Sequence, residues 1–408
     1  MNRQIDFGAM LGQGRRQMDD AIRETAAALN ARAATHPHWG IAWSGGKDST
    51  CVLTLVIALI ERGLVTPPKS LTVLYADTRL ELPALWACGA ALREELADRA
   101  LPFTVKVETV MAPMDKRFMV YLLGRGVPPP NNGTLRWCTR QIKVDPMAQA
   151  IRDHLAQLGE EAGSFLLLTG VRLGESAARD ARIVTSCSKD GGECGQARFQ
   201  ADLSRTYDVL DPILTWRICH VWAWLEAWAP SPEWGDWSTK LLARAYGGRD
   251  GDEAAESGAR TGCMGCPLAT KDTALDGLLR FDEWAYLAPL RELRPLWREL
   301  RKGKHRLRKD GHETRADGSL VENPGRLGPL RLESRLWALE QVLDIQARCN
   351  ATKPARAPFV DLLNNAEEAR IRELIALRTW PNRWSDDDLP GDRALDTEMP
   401  LFSWESAP

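Results

Sequence analysis

Ser44-Gly45-Gly46-Lys47-Asp48-Ser49-Thr50 is the segment best suited to chemistry. It lies between an apolar run, WGIAW at 39–43, and a helical pattern over 50–62 that Gly63 can terminate. Two glycines let a backbone approach an anion closely. The N-terminus of the following helix offers free N–H groups and the positive end of its dipole. Ser44, Ser49 and Thr50 add hydroxyls, and Lys47 adds a point charge. The pattern is neither G-x-x-x-x-G-K-[ST] nor G-x-G-x-x-G, so it is a phosphate loop of a different kind.

Two cationic clusters follow. Arg136, Arg140 and Lys143 fall in RWCTRQIK, and Arg172 and Arg179 in GVRLGESAAR. They can converge on an anion at the end of a sheet, where the guanidinium fork suits bidentate phosphate binding. Glu175 can fix one of these forks or hold Mg²⁺. Cys263-Met264-Gly265-Cys266 is a C-x-x-C, and Cys187 and Cys194 form an earlier pair. Two pairs from separate loops can make a four-thiolate site for zinc or an iron–sulfur cluster, and the spacing leaves that choice open. No thioredoxin-like strand–helix setting surrounds the C-x-x-C. Cys51, Cys88 and Cys219 fall in apolar helix patterns and read as core. Trp216, Trp222, Trp224 and Trp228 have near-helical spacing and read as helix packing. Lys302, Lys304, His305, Arg306, Arg308 and Lys309 crowd one Gly-containing loop or hairpin, a solvated face or a phosphate-backbone contact.

The elements that must position these residues alternate. Strands are expected at 39–43, 71–77, 103–110 and 165–171, with helices at 50–62, 81–99 and 141–158. That alternation predicts an α/β fold with a parallel sheet covered on both faces. Ligands of such sheets bind at the strand C-termini. A helix precedes it at 17–35. After about residue 212 the pattern turns helical, over 216–228, 236–246, 272–301, 329–349 and 360–379. The expected division is an N-terminal helix over 1–36, the nucleotide domain over 37–230, a helical region over 231–380 carrying the C-x-x-C loop and the basic segment, and a loosely ordered acidic tail over 381–408.

Composition bounds the function. The chain has 408 residues, Lys+Arg 53 against Asp+Glu 55, and a formal net charge of −2. A nucleic-acid contact must therefore come from a local patch. No run approaches the roughly 18–20 apolar residues of a membrane span, and the first residues lack the apolar core of a signal peptide. A cytoplasmic protein without a membrane partner is expected, in which cysteines serve metals or catalysis before disulfides.

SGGKDST closely resembles the PP-loop of the N-type ATP pyrophosphatases. RWCTRQIK and GVRLGESAAR resemble segments of PAPS reductase-like proteins. The resemblance spans 38–180. It implies an adenine nucleotide α-hydrolase-like (PP-loop, HUP-type) domain that cleaves ATP between the α- and β-phosphates, with Mg²⁺. Lys47, Asp48, Arg172 and Glu175 would be catalytic. Ser44, Gly45, Gly46, Lys47, Asp48, Ser49, Thr50, Asp77, Arg140, Lys143 and Arg179 would hold the nucleotide. Asp77, in the D-T-x-x-E segment Asp77–Glu81, would touch adenosine or Mg²⁺. Many relatives with a late C-x-x-C hold a [4Fe–4S] cluster, which implies Cys187, Cys194, Cys263 and Cys266 as ligands, with Cys138 as substitute.

Three activities share this layout. Sulfonucleotide reductases carry a catalytic Cys in the C-terminal tail, whereas the last Cys here is Cys349. A tRNA thiolase would bring an RNA-binding module or a basic surface. DNA phosphorothioation proteins of the DndC/SspD type resemble this chain in SGGKDST, RWCTRQIK, GVRLGESAAR, GCMGC and the stretch Gly328–Arg335. That resemblance implies adenylation of a DNA backbone phosphate in bacterial defence. Its partners would be DNA, met through Lys302–Lys309, a cysteine desulfurase as sulfur donor, and further modification subunits. A scaffold subunit that binds ATP without cleaving it is the non-enzymatic alternative.

Overall fold

The computed structural model describes residues 7–133, 135–174, 198–200, 207–246, 262–309, 326–382 and 384–393. β1 (His38–Trp43), β2 (Ser70–Ala76), β3 (Thr104–Val110), β4 (Phe165–Leu168), β5 (Arg198–Gln200) and β6 (Asp208–Asp211) form one sheet in the order β3-β2-β1-β4-β6-β5. All neighbours pair in parallel except β5, which runs antiparallel to β6. The expected strands are present. The fifth parallel strand, β6, was not anticipated, because DVLD is too short to stand out by pattern.

The strands alternate their faces, as a pleat requires. Trp39, Ile41 and Trp43 of β1, Val73 and Tyr75 of β2, and Leu166 and Leu168 of β4 enter one core. Leu74, Phe165, Leu167 and Val209 enter the opposite one, against Ala150, Ile151 and Leu155 of a helix over Asp145–Leu158. Both faces are covered over β1, β2 and β4, so these strands read as apolar runs, whereas β3 at the sheet edge is partly exposed.

α1 (Phe7–Ala33) joins the first core through Met18, Ile22 and Leu29. Its Thr25 hydroxyl donates to the Pro212 carbonyl at 3.0 Å and accepts the Trp216 indole N–H at 3.1 Å. α2 (Lys47–Glu61) is buried from Lys47 to Ile60, the burial expected of a helix apolar all round. α3 (Pro83–Ala97) follows β2, and α4 (Asp145–Leu158) follows a π-type turn at Arg140–Val144. α5 (Ile218–Ala223) runs into a second such turn at Trp224–Trp228, and α6 is Lys240–Ala245. Trp216 and Trp224 are buried there, so these tryptophans do pack helices.

The C-terminal region holds α7 (Thr273–Leu278), α8 (Leu293–Leu300), α9 (Leu332–Ala351) and α10 (Asn365–Ala376). The single helical stretch expected over 272–301 is broken: Asp272 caps α7 at Leu275 N–H, and a 3₁₀ run over Asp282–Glu292 contains Pro289, which has no N–H to donate. The region is also not purely helical. β7 (Arg306–Arg308) pairs antiparallel with β8 (Leu327–Leu330) and with β9 (Leu389–Pro390). The start of the acidic tail is therefore docked by backbone hydrogen bonds. Arg335 of α9, fully buried, donates to the carbonyls of Leu123 at 2.8 Å and Thr379 at 2.9 Å, and to Gly124. One contiguous core runs from Met18 to Leu374, across the boundaries expected at 37 and 231. Among the described residues no helix is long and apolar enough to cross a membrane.

Candidate nucleotide-binding site

The sheet order reverses between β1 and β4, and the loops that leave these two strands meet there. Such switch points are where open α/β sheets hold ligands. Gly45 follows β1 with φ +71°, a left-handed conformation that a side chain disfavours. Gly46 is the N-cap of α2 and has no side chain with which to cap the helix. Its first-turn N–H groups are thus left for a ligand or a neighbour. The Ser49 hydroxyl lies 3.1 Å from that of Ser44 and accepts the Ser44 N–H at 3.2 Å, which closes the loop on itself. Thr50 is fully buried and its hydroxyl accepts the Trp43 indole N–H at 2.9 Å, so it faces the core rather than a ligand.

Lys47, Asp48 and Arg172 are all buried. The Asp48 carboxylate accepts from the Lys47 ammonium at 2.9 Å and from Arg172 Nε at 3.2 Å. Arg172 also donates to the Leu173 carbonyl at 3.2 Å. Two cations around one carboxylate leave a net positive charge beside the helix N-terminus, the arrangement that favours an anion. Gly170 makes the junction possible: a Cβ there would lie 2.7 Å from Ser49 N. Arg172 is the member of the second cluster that the fold does bring to the loop.

Tyr246, at the end of α6, was not anticipated. Its hydroxyl accepts the Lys47 backbone N–H at 3.0 Å, and the Lys47 ammonium lies 5.6 Å from its ring centroid. Trp222 packs edge-on against the ring at 5.2 Å. The hydroxyl thus occupies the place of an anion at the start of α2. An aromatic followed by Gly247 and Gly248 carries no sequence signal for this contact; only the return of α6 onto α3 creates it.

At the end of β2 the Asp77 carboxylate accepts the Arg79 N–H at 2.8 Å. Arg79 has φ +64°. Its guanidinium donates to Asp361 at 2.7 Å and to Glu367 at 3.1 Å, and Arg117 also reaches Glu367 at 3.2 Å. The C-terminal region therefore clamps the β2 loop and holds a backbone shape that arginine disfavours. Glu81 accepts the Thr78 hydroxyl at 2.6 Å, and burial raises its carboxyl above the ordinary value.

The first cationic cluster does not converge on the loop. Arg140 is exposed and pairs with Asp145 at 3.2 Å, and it lines a separate groove of about 610 Å³ at the end of β3 with Lys116 and Arg152. Arg136 is exposed. Lys143 instead lies with the cysteines: interaction with Cys263 when that thiol is ionised, then with Glu81, raises its ammonium. Cys138, Cys263 and Cys266 share this neighbourhood electrostatically. Burial pushes the Cys263 thiol up to about 11, against the pull of Lys143. The Met264 N–H donates to the Leu80 carbonyl at 2.7 Å, tying the cysteine turn to the β2 loop. Among the described cysteines, Cys138, the expected substitute ligand, is coupled electrostatically to the C-x-x-C pair.

Among the described residues no group of three or more His, Cys, Asp or Glu is arranged to hold a metal ion. Cys138, Cys263 and Cys266 do not by themselves fit a cluster. Glu175, Arg179, Cys187 and Cys194 lie outside the described residues. Cys219, expected in the core, is exposed, whereas Cys51, Cys88 and Cys349 are buried.

The basic segment is internally paired. Lys302 and Lys304 reach Glu299 at 2.6 and 2.7 Å, and His305 reaches it at 3.3 Å. Lys309 pairs with Asp388 at 2.7 Å. Arg306 donates to the carbonyls of Gly328 and Leu327, and Arg308 to that of Arg393.

Residues 38–229 match the family described as the phosphoadenosine phosphosulfate reductase domain, and the sheet and its helices have that α/β fold. A solved phosphoadenylyl-sulfate (PAPS) reductase from Candida auris, a phosphate complex, is 14% identical over 49% of this chain and 77% of that one. Its TM-score is 0.31, too low to support any inference about this chain. No match was found among curated proteins.

Proposed function

We propose that the chain is an ATP pyrophosphatase that adenylates a DNA backbone phosphate for sulfur insertion. The observation that carries the pyrophosphatase step is the uncapped start of α2 with Lys47, Asp48 and Arg172 buried beside it. ATP lays its phosphates on residues 44–49, accompanied by Mg²⁺. A non-bridging oxygen of the DNA phosphate attacks the α-phosphorus. The bond to the β-phosphate breaks, and pyrophosphate leaves with the electron pair. Lys47, Arg172 and the N-terminal N–H groups of α2 stabilise the charge that develops on it. Asp48 holds both cations in place. A persulfide sulfur from a cysteine desulfurase, with a thiol as reductant, then displaces AMP. The choice of DNA rests on the five sequence segments shared with phosphorothioation proteins. With Lys302–Lys309 internally paired, the structure adds no support to that segment as the DNA contact.

Reduction of phosphoadenylyl sulfate is the second reading, favoured by the domain match over 38–229. One pair of assays separates them. The purified chain is given ATP with DNA, and separately phosphoadenylyl sulfate with a thiol. Pyrophosphate formed only with DNA, with the adenylyl group of ATP carried onto the DNA, supports adenylation. Sulfite released from phosphoadenylyl sulfate without ATP cleavage sinks it. ATP bound but never cleaved leaves the scaffold role.

A further inference from the structure

A pocket of about 370 Å³ opens at the C-terminal end of β2, one strand over from the phosphate loop. That volume is at the low end of the ~300–1,000 Å³ typical of small-ligand sites. It suits one ring system rather than a whole nucleotide. Two large aromatic side chains at its lining remain open to water: Trp86 is 45% and Phe359 68% exposed. Met264, from the cysteine turn, adds an apolar wall. Among the described residues, the polar part of the lining consists of Asp77, Glu81 and Asp361, with Arg79 as its one cation. Arg79 is already bonded to Asp361 and Glu367. The pocket therefore repels phosphate and offers acceptors to N–H donors. Its character is the reverse of the phosphate loop's. Met264, Phe359 and Asp361 lie outside residues 38–229, so the matched domain does not supply this pocket alone.

We propose that the pocket binds a nucleobase bearing an exocyclic amino group, adenine or cytosine. The ring face meets Trp86 and Phe359, and the amino group donates to the carboxylates. Stacking on aromatic side chains and hydrogen bonding at the base edge are the general terms of base recognition. This occupant rests on the nucleotide reading of the phosphate loop. The base can belong to ATP or to the nucleic-acid substrate, and the test separates the two.

The full chain and its Trp86→Ala, Trp86→Phe and Phe359→Ala variants are titrated calorimetrically with ATP, inorganic tripolyphosphate and a single-stranded oligodeoxynucleotide. Each alanine variant is expected to lose about 10-fold in affinity for a base-bearing ligand, while tripolyphosphate binding holds. Trp86→Phe restores most of the loss. A loss confined to ATP assigns the pocket to the nucleotide's own base, and a loss confined to the oligonucleotide assigns it to the substrate. Unchanged affinity for both in both alanine variants overturns the proposal, as does an equal loss for tripolyphosphate. If Trp86→Ala misfolds by circular dichroism, the exposed Phe359 carries the test. Wild-type protein that binds these ligands but forms no pyrophosphate from ATP and the oligonucleotide sinks the adenylation reading and leaves the pocket standing.

Discussion

The loop after β1 and the segment Lys302–Lys309 both gather cations, and they use them in opposite ways. Lys47 and Arg172 share one buried carboxylate beside the N-terminus of α2, so their surplus charge is available to an anion. Lys302, Lys304 and His305 crowd onto Glu299 in water, where screening and side-chain entropy leave little net attraction. Cations clustered in a sequence become a site when the backbone around them is also short of partners.

The comparison can be broken or sharpened by substitution. Lys47→Ala should lower pyrophosphate formation by about 100- to 1,000-fold, the usual effect of removing one preorganised donor. A coupled pyrophosphate assay reads it, and a change within threefold would remove Lys47 from the machinery. Asp48→Ala leaves two buried cations without their carboxylate. The expected loss is about 3–5 kcal/mol of stability in urea unfolding.

Tyr246→Phe removes the acceptor that occupies the Lys47 N–H. A net hydrogen bond of about 1 kcal/mol then no longer competes with the ligand, and tripolyphosphate should bind about fivefold more tightly. Weaker binding would mean that the hydroxyl serves the bound ligand instead.

The smallest effects belong to the basic segment. Lys302→Ala with Lys304→Ala should change stability by less than about 1 kcal/mol and leave the salt dependence of DNA binding unaltered. A slope reduced by about two would restore the segment as a backbone contact. Hydrogen bonds from Lys302, then Lys304, hold the Glu299 carboxyl below its ordinary 4.5. That bonding is complete above the ordinary value and is lost as pH falls through the lowered one. Carboxyl chemical shifts followed by NMR would show the midpoint, and one near 4.5 would mean that the pairs do not form in solution.

Much of the fold was legible because the parallel strands are apolar runs separated by helical periodicity. The candidate phosphate loop stood out in the sequence because its glycines, lysine and serines are contiguous. β6 was not, being a four-residue strand recognised only through its pairing with β4. The broken C-terminal helices and the docked start of the tail escaped too, since β7 and β9 are far apart in the chain. Of the cations expected to converge, Arg172 reaches the loop across Gly170, whereas Arg140 faces another groove. Spacing cannot tell these two outcomes apart.

The sequence by itself determined which groups meet at the end of β1, because a candidate phosphate loop is a local object made by consecutive residues. Only the tertiary structure decided what surrounds it: Tyr246 on the Lys47 N–H, Cys138 beside the C-x-x-C, and the pocket shared by Trp86 and Phe359. These contacts join residues from distant parts of the chain. No periodicity encodes them, and they form only when the helices fold back over the ends of the strands.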